Sequence, residues 1–190
     1  FVSVSRLSNE KNIDFMIEAI DALRRETDVP FRFLMIGDGH QKDRLQKKIE
    51  DLGLQQHFTL VGAVPPDEMA TWYRLGDAFL FASISETQGM VILEAMAAGL
   101  PVVAVRSSGI EDVVRHGFHG FKTPEKQDQW RAQVKKLLEV DELRQKLSSQ
   151  ALEFAGDYSV EQFASDVRTI YATTLAMYDK KRKGSELRPE

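Results

Sequence analysis

The chain has 190 residues and no cysteine, and its 25 Lys and Arg against 29 Asp and Glu give a formal net charge of −4. These numbers exclude a disulfide framework, a thiol nucleophile and a cysteine-ligated zinc site. They also argue against a general nucleic-acid binder, which would more often be basic. Hydrophobic residues make up 43% of the sequence, which excludes a disordered or fibrous chain. We expect one domain, or at most two small ones, in a reducing, cytoplasmic compartment, without a membrane-spanning segment.

Short apolar runs alternate with amphipathic helical patterns along most of the sequence. In chain order the predicted elements are strand Phe1–Ser5, helix Ile13–Leu23, strand Phe31–Ile36, helix Leu45–Leu52, strand Phe58–Val61, helix Asp67–Leu75, strand Ala78–Ala82, helix Met90–Ala98, strand Pro101–Val105, helix Ile110–Arg115, edge strand Gly120–Lys122 and helices after Glu125. Continuous apolar strands that alternate with helices predict a parallel sheet covered on both faces. The expected fold is therefore α/β, a doubly wound Rossmann-like sheet.

The two ends of the chain carry separate signals. The sequence opens inside a predicted core strand, Phe1–Ser5, with no turn or capping residue before it, so we expect a partner domain to precede it. We predict one domain over residues 1–178, including the closing helices, and a polar basic tail over 179–190. Contact of the basic run Lys180–Lys183 with anionic lipid, at the inner face of a membrane, is one interpretation, and a solvated tail is the favoured one.

The loop after the first strand carries two cations. Arg6 and Lys11 lie five residues apart at a strand-to-helix connection, where both can converge on an anion near the helix N-terminus. A diphosphate fits this arrangement, because arginine donates in a fork and lysine acts as a point charge. The alternative interpretation is a solvated loop with ordinary surface charges.

The loop after the fourth strand carries two carboxylates, Glu86 in the loop and Glu94 inside the next helix. Gly89 lets the backbone approach a ligand, and we expect the amides of Thr87–Met90 to be unpaired donors. Apolar neighbours surround Glu94 in sequence, so we expect a buried carboxylate that needs hydrogen-bond donors, such as two adjacent sugar hydroxyls. The alternative is a capping glutamate followed by a glutamate on the helix surface.

Six motifs occur together in one order along residues 1–122. They are VSRLSNEKN, IGDGHQKDRL, VGAVPPDEM, SETQGMVILEAMAAGLPVVA with its E-x7-E spacing, SSGIEDVV and HGFHGF. The set resembles the C-terminal half of a GT-B glycosyltransferase of the large retaining family 4, also called glycosyl transferases group 1. The segment 158–163 is similar to the closing part of that family.

The resemblance implies a site for a nucleotide diphosphate sugar. Arg6 and Lys11 would hold the diphosphate, Glu94 the ribose hydroxyls, and Glu86 would lie against the donor sugar. The further donor-binding residues implied are Gln88, Gly89 and Met90 through their amides, Val64 near the base, and Gly37. A UDP-sugar is the favoured donor, and a glycolipid or polysaccharide precursor bound by an N-terminal domain is the expected acceptor. No metal, cofactor or nucleic acid is expected.

Some alternatives stay open at this point. Gln88 stands where many relatives have an aromatic residue, and the E-T-Q-G form is similar to that of some bacterial glucosyltransferases acting on glycerolipids. Glu86 could be a nucleophile, but positioning of the donor sugar is the favoured role. A sugar-nucleotide epimerase of the same architecture and a non-catalytic nucleotide-sugar-binding module are the competing functions. His116 and His119 are predicted to lie in a solvated turn rather than to form a metal pair.

Overall fold

A computed structural model describes the backbone of residues 1–185 and the side chains of residues 1–178. Six strands form one parallel sheet: Val2–Val4 (β1), Phe33–Ile36 (β2), Phe58–Gly62 (β3), Phe79–Phe81 (β4), Val102–Val105 (β5) and Gly120–Thr123 (β6). The helices are Ile13–Leu23 (α1), Lys42–Asp51 (α2), Met69–Arg74 (α3), Met90–Ala97 (α4), Gln127–Glu139 (α5), Asp141–Gly156 (α6) and Val160–Ser185 (α7). The predicted α/β doubly wound fold is confirmed.

The strand order creates a crevice at one point of the sheet. The order is β3-β2-β1-β4-β5-β6, and every pairing is parallel. The chain winds outward in one direction from β1 and in the other from β4, so the connections after these two strands diverge at their carboxyl ends. In open α/β sheets this switch point is where ligands bind.

Side-chain alternation along the strands builds a separate core on each face of the sheet. Phe79 and Phe81 of β4 pack with Ile92 and Met96 of α4 on one face, while Leu80 points to the opposite face with α1, α2 and α5. Successive residues of a strand point to opposite faces, so an apolar run serves both cores at once. This explains why the strands read as continuous hydrophobic segments in the sequence.

The helix predicted at Ile110–Arg115 is wrong. The structure has a single 3-10 turn at Ser108–Ile110, followed by turns instead of an α-helix. A side chain competes for the backbone here: Nζ of Lys122 donates to the Glu111 carbonyl oxygen at 2.9 Å, an acceptor that an α-helix would need for its own ladder. Since Lys122 is 9% exposed, this contact also satisfies a nearly buried ammonium group.

The solvated turn predicted for His116 and His119 is wrong for His119. The His119 side chain is 1% exposed, and its ring stacks on Phe154 with centroids 4.4 Å apart. Burial, together with the nearby Arg115 and Lys122, lowers the pKa of His119 to about 4. The ring is therefore neutral at physiological pH.

The chain divides into two compact units, residues Phe1–Ala155 and the part from Gly156 onward. The first unit contains the whole sheet, and the second, within the described residues, contains the last residue of α6, a short turn and α7. The backbone of α7 continues to Ser185, but the tail predicted for residues 179–190, with Lys180–Lys183, lies outside the described side chains. Among the described residues, none of the helices combines the length and apolar character needed to cross a bilayer.

Candidate functional site

Glu86 caps the start of α4 from within its own loop. Its Oε1 accepts hydrogen bonds from the amides of Thr87 at 3.2 Å, Gln88 at 3.4 Å and Gly89 at 3.1 Å. Gly89 is the N-cap of α4 and has a φ of +65°, a conformation that glycine adopts without steric cost. The prediction that these three amides are unpaired is therefore wrong, because a carboxylate of the same loop already occupies them.

The amides that follow are free to bind a ligand. Helix geometry leaves the first N–H groups of α4, those of Met90 and Val91, without an intrahelical acceptor. No loop or turn hydrogen bond engages them in the part of the chain that the structure describes. They lie at the positive end of the α4 dipole, next to Glu86. Unpaired donors are thus present at Met90, the last residue of the predicted segment, and at Val91, the residue after it.

Lys11 and Glu86 meet across the switch point of the sheet. The Nζ of Lys11 lies 3.4 Å from Oε2 of Glu86, and each side chain is only 15% exposed. Burial raises the pKa of Glu86, but the amides of Gly89 and Gln88 and the Lys11 ammonium outweigh it, so the net pKa lies below the usual range. Two loops separated by 75 residues therefore place one cation and one permanent anion together.

Backbone contacts fix the distance between these two loops. The amide of Ile84 and the hydroxyl of Ser83 both donate to the Glu10 carbonyl oxygen, at 3.1 Å and 3.2 Å. On the other side, the amide of Gly109 donates to the Glu86 carbonyl oxygen at 2.9 Å. A Cβ atom at Gly109 would lie 2.4 Å from that oxygen, so only glycine permits this approach.

Arg6 lies at the open rim of the crevice. Its side chain is 81% exposed, and its guanidinium is 3.6 Å from Oε1 of Glu10. Glu10 also accepts a hydrogen bond from the Ser8 hydroxyl at 2.7 Å. Among the described residues no ion pair joins Arg6 to Glu86, so the structure brings only Lys11, the second of the two predicted cations, to this carboxylate.

Glu94 lies on the exposed surface of α4, and the expectation of a desolvated carboxylate is wrong. Its apolar neighbours in sequence point elsewhere, because Ile92 and Ala95 are buried in the core below the helix. The carboxylate is held instead by one buried group, since the Tyr73 hydroxyl donates to its Oε2 at 2.8 Å. An apolar cleft of about 390 Å³ adjoins this pair, lined by Pro66, Met69, Ala70, Tyr73, Arg74, Glu94, Ala97 and Ala98.

The remaining predicted residues surround these groups at the carboxyl edge of the sheet. Gly37 has a φ of +133°, and a Cβ there would lie 1.9 Å from the Ser5 carbonyl oxygen, so backbone packing alone demands glycine at this position. Val64 is half-buried against the core beneath α4. Gln88 and Met90 are exposed where α4 begins.

Tyr73 was not predicted from the sequence, and Gly109 was predicted only as part of the turn Ser107–Gly109, which could touch the donor sugar or phosphate. Tyr73 follows the helical pattern of α3, which predicts an ordinary core residue. That pattern does not show which group its hydroxyl contacts. Gly109 has a weak signal in the Ser-Ser-Gly turn after β5, but its role depends on the approach of another loop. Among the described side chains, no cluster of three or more His, Asp or Glu could hold a metal ion.

Comparison with known proteins assigns the chain to a family. The sequence model described as "Glycosyl transferases group 1" matches residues 1–154. The chain is 31% identical to a sulfoquinovosyl transferase of Arabidopsis thaliana over 99% of its own length and 36% of that protein. It is 30% identical to an alpha-monoglucosyldiacylglycerol synthase of Streptococcus pneumoniae over 92% of its length and 38% of the relative. The chain thus spans less than half of the length of these curated relatives.

Solved structures share the fold. TarM of S. aureus in a complex that contains UDP superposes with a TM-score of 0.80 at 25% identity, over 90% of this chain and 35% of that one. HepE of Anabaena in complex with UDP superposes with a TM-score of 0.77 at 26% identity, over 93% of this chain and 49% of that one. The C-terminal domain of a group 1 protein from Francisella tularensis, at 21% identity and a TM-score of 0.73, matches over 84% of this chain and 86% of its own length. The chain therefore belongs to the glycosyl transferases group 1 family and has the fold of its C-terminal GT-B domain.

Proposed function

We propose that this chain is the donor-binding half of a retaining glycosyltransferase that transfers a hexose from a UDP-sugar. The observation that carries the proposal is the pairing of Lys11 with Glu86 at the switch point, beside the free amides of Met90 and Val91. An ammonium group and two helix-terminal N–H donors form a site for a diphosphate. Arg6 lies at the rim, paired with Glu10 and largely exposed, and we expect it to exchange Glu10 for the diphosphate when the donor binds.

The two glutamates take different parts of the donor. Glu94 accepts the ribose hydroxyls, with the base in the adjoining apolar cleft lined by Pro66 and Met69; the role of Val64 beside the base stays a prediction. Glu86 lies against the donor sugar, and the amides of Gln88 and Gly89 become available to sugar hydroxyls when its carboxylate shifts. A carboxylate that accepts three amide hydrogen bonds and pairs with Lys11 is a weak nucleophile. This supports a positioning role for Glu86.

In the proposed reaction, the bond between the anomeric carbon and the β-phosphate oxygen breaks, and a bond from the acceptor hydroxyl oxygen forms on the same face of the sugar. The acceptor proton passes to the departing phosphate oxygen. Negative charge grows on the diphosphate during this step, so Lys11, Arg6 and the amides of α4 lower the barrier. Removal of one such group commonly costs about 3–4 kcal/mol of transition-state stabilisation.

Similar proteins support the choice of donor and acceptor. TarM and HepE are described with UDP bound, which favours a uridine nucleotide here. The streptococcal relative is named alpha-monoglucosyldiacylglycerol synthase, and the E-T-Q-G sequence around Gln88 favours the same class of acceptor. The acceptor would be bound by a further domain, so we expect this chain to bind the donor without transferring its sugar alone.

The proposal is tested by calorimetric titration of the chain with UDP-, GDP- and ADP-glucose in the presence of EDTA. We expect UDP-glucose to bind most tightly and without a metal. Glu94→Ala should weaken it, while Glu153→Ala, at an exposed position of α6, is the matched control and should not. Equal binding by wild type and Glu94→Ala would remove the ribose role. Sugar transfer by the isolated chain would contradict the expected need for a further domain.

A further inference from the structure

Tyr73 joins two helices through one buried hydroxyl group. The residue lies on α3, is 2% exposed, and its ring packs on Phe79 of β4 with centroids 5.9 Å apart. This packing directs the hydroxyl toward α4, where it lies 2.8 Å from Oε2 of Glu94 and 3.4 Å from the Val91 carbonyl oxygen. A phenol has one proton to donate, and the shorter, charged contact is the stronger hydrogen bond.

The Tyr73 hydroxyl stays protonated over the physiological pH range. Burial, and then the hydrogen bond to Glu94, raise the pKa of Tyr73 far above its usual value. The hydroxyl therefore always donates, and it has no acceptor with which to replace Glu94 except the more distant carbonyl. Loss of the carboxylate would leave a buried polar group poorly satisfied.

The geometry leaves the outer side of Glu94 open. The carboxylate is exposed to solvent, and Tyr73 is the only described residue that hydrogen-bonds to it. An ionised carboxylate offers about four lone-pair sites, so a single donor at Oε2 leaves acceptors for two ligand hydroxyls. An exposed glutamate otherwise samples many rotamers, and fixing it on binding costs side-chain entropy. Tyr73 removes that cost before the ligand arrives.

We propose that Tyr73 is a positioning residue that holds Glu94 in the orientation needed to accept two adjacent ribose hydroxyls. The inference rests on the proposed function, because it assigns the ribose to Glu94. Tyr73 itself touches no hydroxyl of the ligand; it acts through the carboxylate. Removing only its phenolic oxygen should therefore weaken a ligand in proportion to the hydroxyls that the ligand presents to Glu94.

The test compares UDP with 2′,3′-dideoxy-UDP in calorimetric titrations of the chain. We expect Tyr73→Phe to weaken UDP binding about five- to tenfold and to leave binding of the dideoxy compound unchanged. Glu94→Gln should show the same selectivity, and the double variant should be no weaker than the worse single variant, as expected for two groups that act as one unit. Tyr171→Phe, on an exposed position of α7, is the matched control and should change neither ligand.

The outcomes separate the inference from the function on which it rests. If Tyr73→Phe loses the same affinity for both ligands, the role of Tyr73 is structural and the proposal is overturned. The proposal is also overturned if Tyr73→Phe binds UDP as tightly as wild type. If Glu94→Gln binds UDP as tightly as wild type, the ribose assignment itself fails. Glu94→Asp withdraws the carboxylate from Tyr73 while keeping its charge, and it must also weaken UDP but not the dideoxy compound. Adding Tyr73→Phe to Glu94→Asp must cause no further loss of UDP affinity, because the shorter carboxylate no longer reaches the Tyr73 hydroxyl; a further loss would overturn the proposal.

Discussion

Replacement of Lys11 by methionine removes the cation at the centre of the site while keeping an unbranched side chain of similar length. The Nζ of Lys11 is 3.4 Å from Oε2 of Glu86, and both side chains are 15% exposed. At that separation and an effective dielectric constant of about 20, Coulomb's law gives an attraction of about 5 kcal/mol before desolvation is subtracted. A charge-assisted hydrogen bond from Lys11 to a diphosphate contributes about 1.5–3 kcal/mol of net binding free energy. We therefore expect Lys11→Met to bind UDP about 10- to 100-fold more weakly than wild type.

The substitution also leaves the charge of Glu86 uncompensated beside the diphosphate. Like charges this close repel each other, so Lys11→Met should lose more affinity than the missing hydrogen bond alone explains. Adding Glu86→Gln to Lys11→Met should therefore recover several-fold of the UDP affinity. Calorimetry at two salt concentrations provides the measurement, because the recovered part is electrostatic and should shrink in high salt.

The control is Lys47→Met, which removes a charge from an exposed position of α2 and should leave UDP binding unchanged. Uridine, which has no phosphate, should bind wild type and Lys11→Met equally. Binding of UDP to Lys11→Met within twofold of wild type would refute the assignment of the diphosphate to this cation. Strictly additive effects of the two substitutions would refute the coupling between Lys11 and Glu86.

Three further predictions concern the supports of the site and the stability of the fold. Gly109→Ala places a Cβ atom 2.4 Å from the Glu86 carbonyl oxygen. Chemical denaturation should therefore show a free energy of unfolding lower by about 1–3 kcal/mol, and UDP-glucose should bind more weakly. Gly156→Ala, whose added Cβ meets no atom within 4 Å, should show neither effect. Because the pKa of Glu86 is lowered in the folded chain, its carboxylate contributes stability that is fully present above the ordinary glutamate pKa. In urea unfolding, the stability advantage over Glu86→Gln should shrink as the pH falls below that ordinary value and vanish below the lowered pKa. A difference that does not change with pH would contradict this. The pKa of His119, lowered from 6.5 to about 4, means that the unfolded chain binds a proton first as the pH falls. The free energy of unfolding of the wild type should therefore fall by about 3 kcal/mol as the pH falls from 6.5 to about 4. His119→Leu should show a smaller fall over the same pH range. Parallel pH profiles of the two proteins would contradict the burial argument.

The sheet and the meeting of its loops could be predicted because they depend on local patterns and on one topological rule. Continuous apolar strands and glycine turns such as Gly37 predict buried parallel strands without any tertiary information. Once the strands are ordered, the loops after β1 and β4 must lie at the switch point. The approach of Lys11 to Glu86 follows from that order, and the family resemblance adds the chemical role.

The details that could not be predicted depend on distances between elements. The sequence shows that Glu94 has apolar neighbours, but the helix rotation that exposes its carboxylate and turns Ile92 inward is set by packing on β4. The hydroxyl of Tyr73 reaches Glu94 only because α3 and α4 lie side by side. Likewise, Glu86 can curl back onto the amides of its own loop, a competition that sequence spacing does not reveal.

The failed helix over Ile110–Arg115 has the same kind of cause. Its apolar spacing is helical, and Ile110 and Val114 are indeed buried. However, the Glu111 carbonyl accepts a hydrogen bond from Lys122 on β6, and the Gly109 amide is engaged by the Glu86 loop. Long-range contacts of the backbone override local periodicity here, and neither contact leaves a signal in the sequence of the segment itself.

The central claim is that a nucleotide diphosphate binds at the switch point between Lys11 and the first amides of α4. A crystal structure of the chain with UDP tests it most directly. We predict the phosphates within hydrogen-bond distance of Lys11 and of the Met90 and Val91 amides, and the ribose hydroxyls on Glu94. UDP bound in a different cleft, or in this one with its ribose turned away from Glu94, would contradict the account.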